Sequence, residues 1–331
     1  MTYGIFLHKN LLVQLGPFSQ KNIRPAKFPF GMSLTAEGKQ EPSLAFGGQA
    51  VIEGVMIRSK KHMVVCVRQP NDEILTKTEE IKTLSERYKI LRVPFLRGVV
   101  ALFETLYLGI KGLYFSANAA LEEEEKLNPK EIALAVIAAL ALSICLFSVM
   151  PFFLATLLKL GGVVFILVES VIRLGILLLY LASTSLVGEF RRVFQYHGAE
   201  HTAINAYEAG VELNVENAKK YSRFHPRCGT SFLLIVTLIS ILFFSIIPNV
   251  GYFMRLAYRI LLIPVIGAVS YEVLKLSDMY KNSRVMKVLV APGLGLQYLT
   301  TREPEEKMIA VALKAVEEVD RLQKQGQPNV L

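Results

Sequence analysis

Cysteine is scarce in this chain. Cys66, Cys145 and Cys228 are scattered over 331 positions, which excludes a disulfide framework and suits free thiols. A signal peptide is not evident. The apolar stretch Phe6–Leu15 is short and lacks both a basic flank and a small-residue cleavage site. No basic segment interleaved with aromatics occurs, so the net charge of +9 does not read as the footprint of a nucleic-acid binder. Tryptophan is absent and charged residues make up only 20% of the chain against 52% apolar ones, which is too greasy for an ordinary soluble domain.

Long apolar runs supply the class instead. Ile132–Leu158, Val163–Val187, Ser231–Ile247 and Leu256–Leu274 each reach the length a bilayer demands, roughly 20 apolar residues and about 17 at the short end. Tight connections at Lys159–Gly162 and Pro248–Gly251 predict two helical hairpins. The fold class expected is a mainly α-helical, polytopic membrane protein with four transmembrane helices and a small cytoplasmic β-rich N-terminal subdomain.

Lysine and arginine set the orientation. The region up to Lys130 carries 18 of them, the 188–230 loop 6 and the tail from Lys275 onward 9, while the opposite side has only Lys159, Arg255 and Arg259. The positive-inside rule then places the N-terminus, the 188–230 loop and the C-terminus in the cytoplasm of a cell-membrane protein. Phe95–Ala117 is fairly apolar but carries Arg97, Glu104 and Lys111. Crossing would break the parity, so it is expected to lie on the membrane as an amphipathic helix. The basic cytoplasmic face fits anionic lipid headgroups. Within the spans, Glu169 and Arg173 form an i, i+4 pair, and Arg259 is expected to snorkel to the interface.

These boundaries divide the chain into seven parts. They are a poorly ordered leader (1–43), with Met32 as an alternative start, and a small β subdomain (44–80). Interfacial helices with an acidic linker (81–130) and a first transmembrane hairpin (131–187) follow. A motif helix and loop (188–230), a second hairpin (231–275) and a cytoplasmic tail with an amphipathic helix (276–331) complete it. Strand-like runs are Gly47–Ile57, Met63–Gln69 and, past a turn at Pro70–Glu73, Ile74–Thr78. Gly47, Gly48 and Gly54 predict close backbone approach or a bulge. Cys66 and Cys145 are expected in the core. In the tail, Ile309, Ala312, Val316 and Val319 form a face that should dock on the cytoplasmic body.

Polar chemistry concentrates in two segments, His197-Gly-Ala-Glu-His201 and His225-Pro-Arg-Cys228. The first is an H-x-x-E-H arrangement, in which two imidazoles bind a metal and the glutamate handles a proton. On a helix, His197 and His201 share one face a turn apart. Glu189–Ala209 contains no proline, and Gly210 suits the residue that ends the helix. A catalytic zinc site takes three protein ligands, so His225 or Cys228 must supply the third. A helix starting near Thr230 would favour the thiolate of Cys228. Asn205, one turn past His201, is placed to support the ligands. Glu208 lies about 10 Å beyond His201 along the helix and is too far to ligate. Glu53 and Gln49, from the strand region, and Glu272, from the fourth span, are further candidates, although a strand polar residue is more often structural. The bland alternative for the whole cluster is wet interfacial histidines and an inert thiol.

The strings Gly47-Gly-Gln-Ala-Val-Ile-Glu-Gly-Val-Met56, Phe194-Gln-Tyr-His-Gly-Ala-Glu-His201, Ser222-Arg-Phe-His-Pro-Arg-Cys-Gly-Thr230 and Leu299-Thr-Thr-Arg-Glu-Pro304 closely resemble the YqhQ-like family. That is an uncharacterised group of bacterial membrane proteins described as predicted metal-dependent enzymes. The resemblance covers roughly residues 44–320 and implies no particular reaction. The likeness to inverted-motif zinc peptidases is local, since their soluble fold and distant third glutamate ligand have no counterpart here.

Two function classes follow. In one, a divalent ion (zinc by preference) on His197, His201 and His225 or Cys228 serves a hydrolase, with Glu200 as base and a peptide or lipid-linked substrate. In the other, a metal or polar cluster clips the 188–230 loop of a non-catalytic scaffold that binds partners. A homo-oligomer is compatible with either.

Overall fold

The computed structural model describes residues 46–121, 128–248, 250–280 and 283–325. The leader and the Glu122–Glu125 linker lie outside them. A four-stranded antiparallel meander opens the described chain. Its strands are β1 (Gly47–Val51), β2 (Gly54–Arg58), β3 (His62–Arg68) and β4 (Ile74–Glu80), in that spatial order. The run Gly47–Ile57 is thus two strands, reversed at Ile52-Glu53, where Glu53 adopts φ +49°. Gly54 marks a close approach within the ladder, because a Cβ there would stand 2.1 Å from the Cys66 carbonyl.

Both faces of this sheet are buried, and this binds it to the rest of the chain. The short helix α1 (Leu84–Arg87) leads into α2 (Leu96–Ala120). One face, with Val51, Met56, Met63, Val65 and Val67, packs on Leu108 and Ala119 of α2. The other, with Val55, Ile57, Val64 and Cys66, packs on helices α6 (Gly188–Glu208) and α11 (Glu306–Gln325). Ile309, Ala312, Val316 and Val319 are all buried there, as their spacing predicts. Burial pushes the Cys66 thiol up to about 11, so it stays protonated and inert.

Apolar helices form the second half of the structure. Among the described residues, four are long and apolar enough to cross a membrane: Leu96–Ala120, Pro129–Leu157, Gly162–Thr184 and Tyr252–Ser277. The second comprises α3 (Pro129–Ile144), a π-turn and α4 (Met150–Leu157); the third is α5 (Gly162–Thr184) and the fourth belongs to α9 (Tyr252–Met279). Helix α8 (Gly229–Ser245) is equally apolar but has only 17 residues. Three findings differ from expectation here. The helix expected to lie on the membrane, α2, has the length and composition of a span. Its N-terminal half packs on α9, where a Cβ on Gly98 would meet the backbone of Ala268, and its C-terminal half covers the sheet. Arg259 does not snorkel. It is 1% exposed, pairs with Glu169 and lies over the rings of Phe152 and Phe244. Cys145, expected in the core, is exposed on the π-turn.

Candidate metal centre

Helix α6 presents the first segment. It runs without proline to Gly210, whose φ of +67° ends it in the left-handed region that glycine tolerates. The imidazoles of His197 and His201 lie one turn apart, ring centroids 4.5 Å from each other. Helix α8 presents the third donor. Cys228 is its N-cap, and Sγ accepts from the Thr230 N–H. One donor atom each from His197, His201 and Cys228 lies within 4.8 Å of the others.

The tautomers of both histidines follow from their partners. Nδ1 of His197 is 2.8 Å from the Thr300 carbonyl, and Nδ1 of His201 is 2.7 Å from the Arg223 carbonyl. A carbonyl only accepts, so both Nδ1 atoms carry the proton and both Nε2 atoms carry the lone pair. This is the arrangement that orients imidazole ligands in metal proteins. Nε2 of His197 stands 3.2 Å from the Cys228 sulfur. Two imidazole nitrogens and one sulfur are a donor set that tetrahedral zinc accepts, with one position left over. The residues fit a metal.

Backbone contacts hold the donors from several elements. Helix α10 (Arg284–Thr300) supplies Gln297, fully buried, which accepts from the His225 N–H and donates to the His225 carbonyl at 2.9 and 2.8 Å. Asn205 donates to the carbonyls of Ser222 and Phe224, so it shapes the loop that carries the carbonyl partner of His201. Gly198 lets the segment after α10 touch the helix, because a Cβ would stand 2.1 Å from the Arg302 carbonyl. A short helix, α7 (Val215–Ala218), bridges α6 to the loop.

Glu200 is 4% exposed. Its carboxylate lies against strand β1, where a Cβ on Gly48 would stand 2.2 Å from Oε1. Burial pushes its carboxyl above the usual range, while His197 and His225 pull it down. Burial likewise lowers His201, which favours the neutral, ligating form.

The other candidates take different parts. His225 is not in the three-residue set. Its Nδ1 accepts from the Arg227 N–H at 3.4 Å, and its Nε2 is 3.7 Å from Glu208, which also pairs with Arg227. Its ring lies 5.7 Å from that of His201. Glu53 is committed to a bidentate pair with Arg192, at 2.6 Å twice, and receives the Tyr196 hydroxyl at 3.3 Å. The Glu272 carboxylate is held by Arg97 and the Phe95 N–H, so it fixes the start of α2. Gln49 lies against Gly109 of α2. Gln297, Thr300 and the Arg223 carbonyl also serve the site, and no local pattern in the sequence marks them as a group. A lone polar residue inside the apolar run Val288–Leu299 was the available signal for Gln297.

The family described as "Protein of unknown function (DUF1385)" matches residues 93–321, which include both polar segments. The chain belongs to this family. It is similar to "Uncharacterized protein YqhQ" of Bacillus subtilis (strain 168), with 36% identity over 302 residues, covering 86% of this chain and 95% of that protein. No solved structure matches. Neither description carries an activity, so the chemistry rests on the geometry.

Proposed function

We propose that this protein is a metal-dependent hydrolase working at the cytoplasmic face of the cell membrane. The observation that carries the reading is the pair of Nδ1–H donations to the Thr300 and Arg223 carbonyls, which turn two Nε2 lone pairs toward one sulfur beside a buried carboxylate. His197, His201 and Cys228 would hold the ion, and zinc suits this donor set best. When bound, the ion supplies a charge that polarises a carbonyl and acidifies water.

Glu200 then acts as the base. It follows His197 by three residues and precedes His201 by one, so it flanks the metal-binding face of the helix without being needed as a ligand. Burial raises its proton affinity, the direction a base needs, and in this role it takes the proton of an attacking water and returns it to the leaving group. The substrate is an amide or ester carbonyl of a peptide or lipid-linked compound, since α5 and α8 deliver the centre at the end of apolar helices. The basic residues flanking the spans support the cytoplasmic side. Glu200→Gln should keep its metal and lose function in a complementation assay, whereas His201→Ala should lose both. Full function in Glu200→Gln would end the hydrolase reading.

One observation favours a scaffold instead. With Nε2 of His197 as acceptor, the Cys228 thiol can donate to it at 3.2 Å and clip the loop to α6 without any ion. Metal-free protein of unchanged function and stability would support it.

A further inference from the structure

At the opposite end of the apolar helices lies a second cluster that the metal centre does not use. Helix α5 runs from Gly162 toward α6, and α8 runs away from Cys228, so the α4–α5 and α8–α9 connections sit about one bilayer thickness from the metal centre at 1.5 Å per residue. Between them is a cavity of ≈ 280 Å³, lined by Thr156, Lys159, Tyr252 and Arg255 together with the rings of Phe152 and Phe165. The described lining contains two basic side chains and no carboxylate.

Two further observations make this cavity electropositive. Helices α5 and α9 both begin here, and neither N-terminus has a side-chain cap, so their N–H groups add positive potential. Below the aromatic floor, Arg259 lies 4.4 Å over the Phe152 ring and, with Arg173, flanks the single carboxylate of Glu169. Two guanidinium groups against one carboxylate leave a net positive charge in a low-dielectric interior. The Nε atoms of both arginines find no hydrogen-bond partner among the described residues. A buried surplus of this sign is offset by an anion nearby.

We propose that this cavity binds the phosphate of an anionic lipid in the leaflet remote from the metal centre. Its size admits a headgroup and excludes a whole lipid. The acyl chains would run along exposed Leu157, Val163, Val164 and Phe253 beside the opening. Lys159 and Arg255 contact the phosphate, and Tyr252 and Thr156 offer hydroxyls. The inference is independent of the hydrolase reading.

Native mass spectrometry of the purified full chain in micelles holding equal phosphatidylglycerol and phosphatidylcholine tests it. The wild-type protein should retain phosphatidylglycerol over phosphatidylcholine by about tenfold or more. Lys159→Asn/Arg255→Gln should bring the ratio near parity, and the charge-matched Lys60→Gln/Lys61→Gln should not. Should the double variant fail to fold, Lys159→Asn alone decides, because asparagine tolerates the φ of +52° at that turn. An unchanged ratio in the Lys159 variants, or an equal loss in the control, overturns the proposal. Displacement of phosphatidylglycerol by excess inorganic phosphate would overturn the lipid assignment in favour of a soluble phosphate ligand.

Discussion

Strand β1 and helix α6 meet at Gly48 and Glu200, and they can do so only because position 48 has no side chain. A Cβ there would stand 2.2 Å from Oε1 and 2.5 Å from Cδ of the glutamate. The sheet therefore walls in the buried Glu200 carboxylate on that side. Gly48→Ala should force Glu200 aside at a cost of about 1–3 kcal/mol in stability, the scale of overpacking. It should leave the metal content intact, since the three donors are anchored elsewhere, while impairing complementation. Thermal unfolding in detergent with parallel metal analysis would check this. Unaltered stability and function would show that the contact is unimportant.

Gln297 ties the second polar segment to α10 through both backbone groups of His225. Gln297→Ala leaves an N–H and a carbonyl unpaired at a buried position, which costs about 1–3 kcal/mol for each group so stranded. The 222–228 loop should loosen, bound metal should be lost at lower chelator concentrations, and protease cleavage within the loop should rise. A chelator titration identical to that of the wild type would argue against a positioning role for this side chain.

The orientation is checked by a cysteine placed at Val215, in the short helix between the two polar segments. Its peptide should be modified by a membrane-impermeant maleimide only after cells are permeabilised. Labelling from outside in intact cells would invert the topology and move the centre to the other face.

The sequence made some layers readable and hid others. Helix α6 was legible because two histidines four apart, a proline-free stretch and Gly210 are local signals that no distant contact overrides. The docking face of α11 was legible for the same reason, since its apolar spacing is helical. What it docks on was not. The sheet pairs with a helix more than 200 residues away, and no period in either segment encodes that partner. The split of Gly47–Ile57 into two strands was hidden because Glu53, not a glycine, takes the left-handed turn position. The burial of Arg259 has no local signal, because its environment depends on Glu169 of another helix and two phenyl rings, none adjacent in sequence. For the third donor, the sequence offered His225 and Cys228 as equals. Only the packing of Glu208 and Gln297 around His225 separates them.

The proposed chemistry of the centre depends on a bound metal. Elemental analysis of protein purified without affinity histidines or added metal should find close to one divalent ion per chain, zinc by preference. His197→Ala/His201→Ala should contain none while remaining folded by circular dichroism, and Cys228→Ser should retain far less than the wild type. Equal metal in the wild type and the double histidine variant, or none in either, would contradict the central claim.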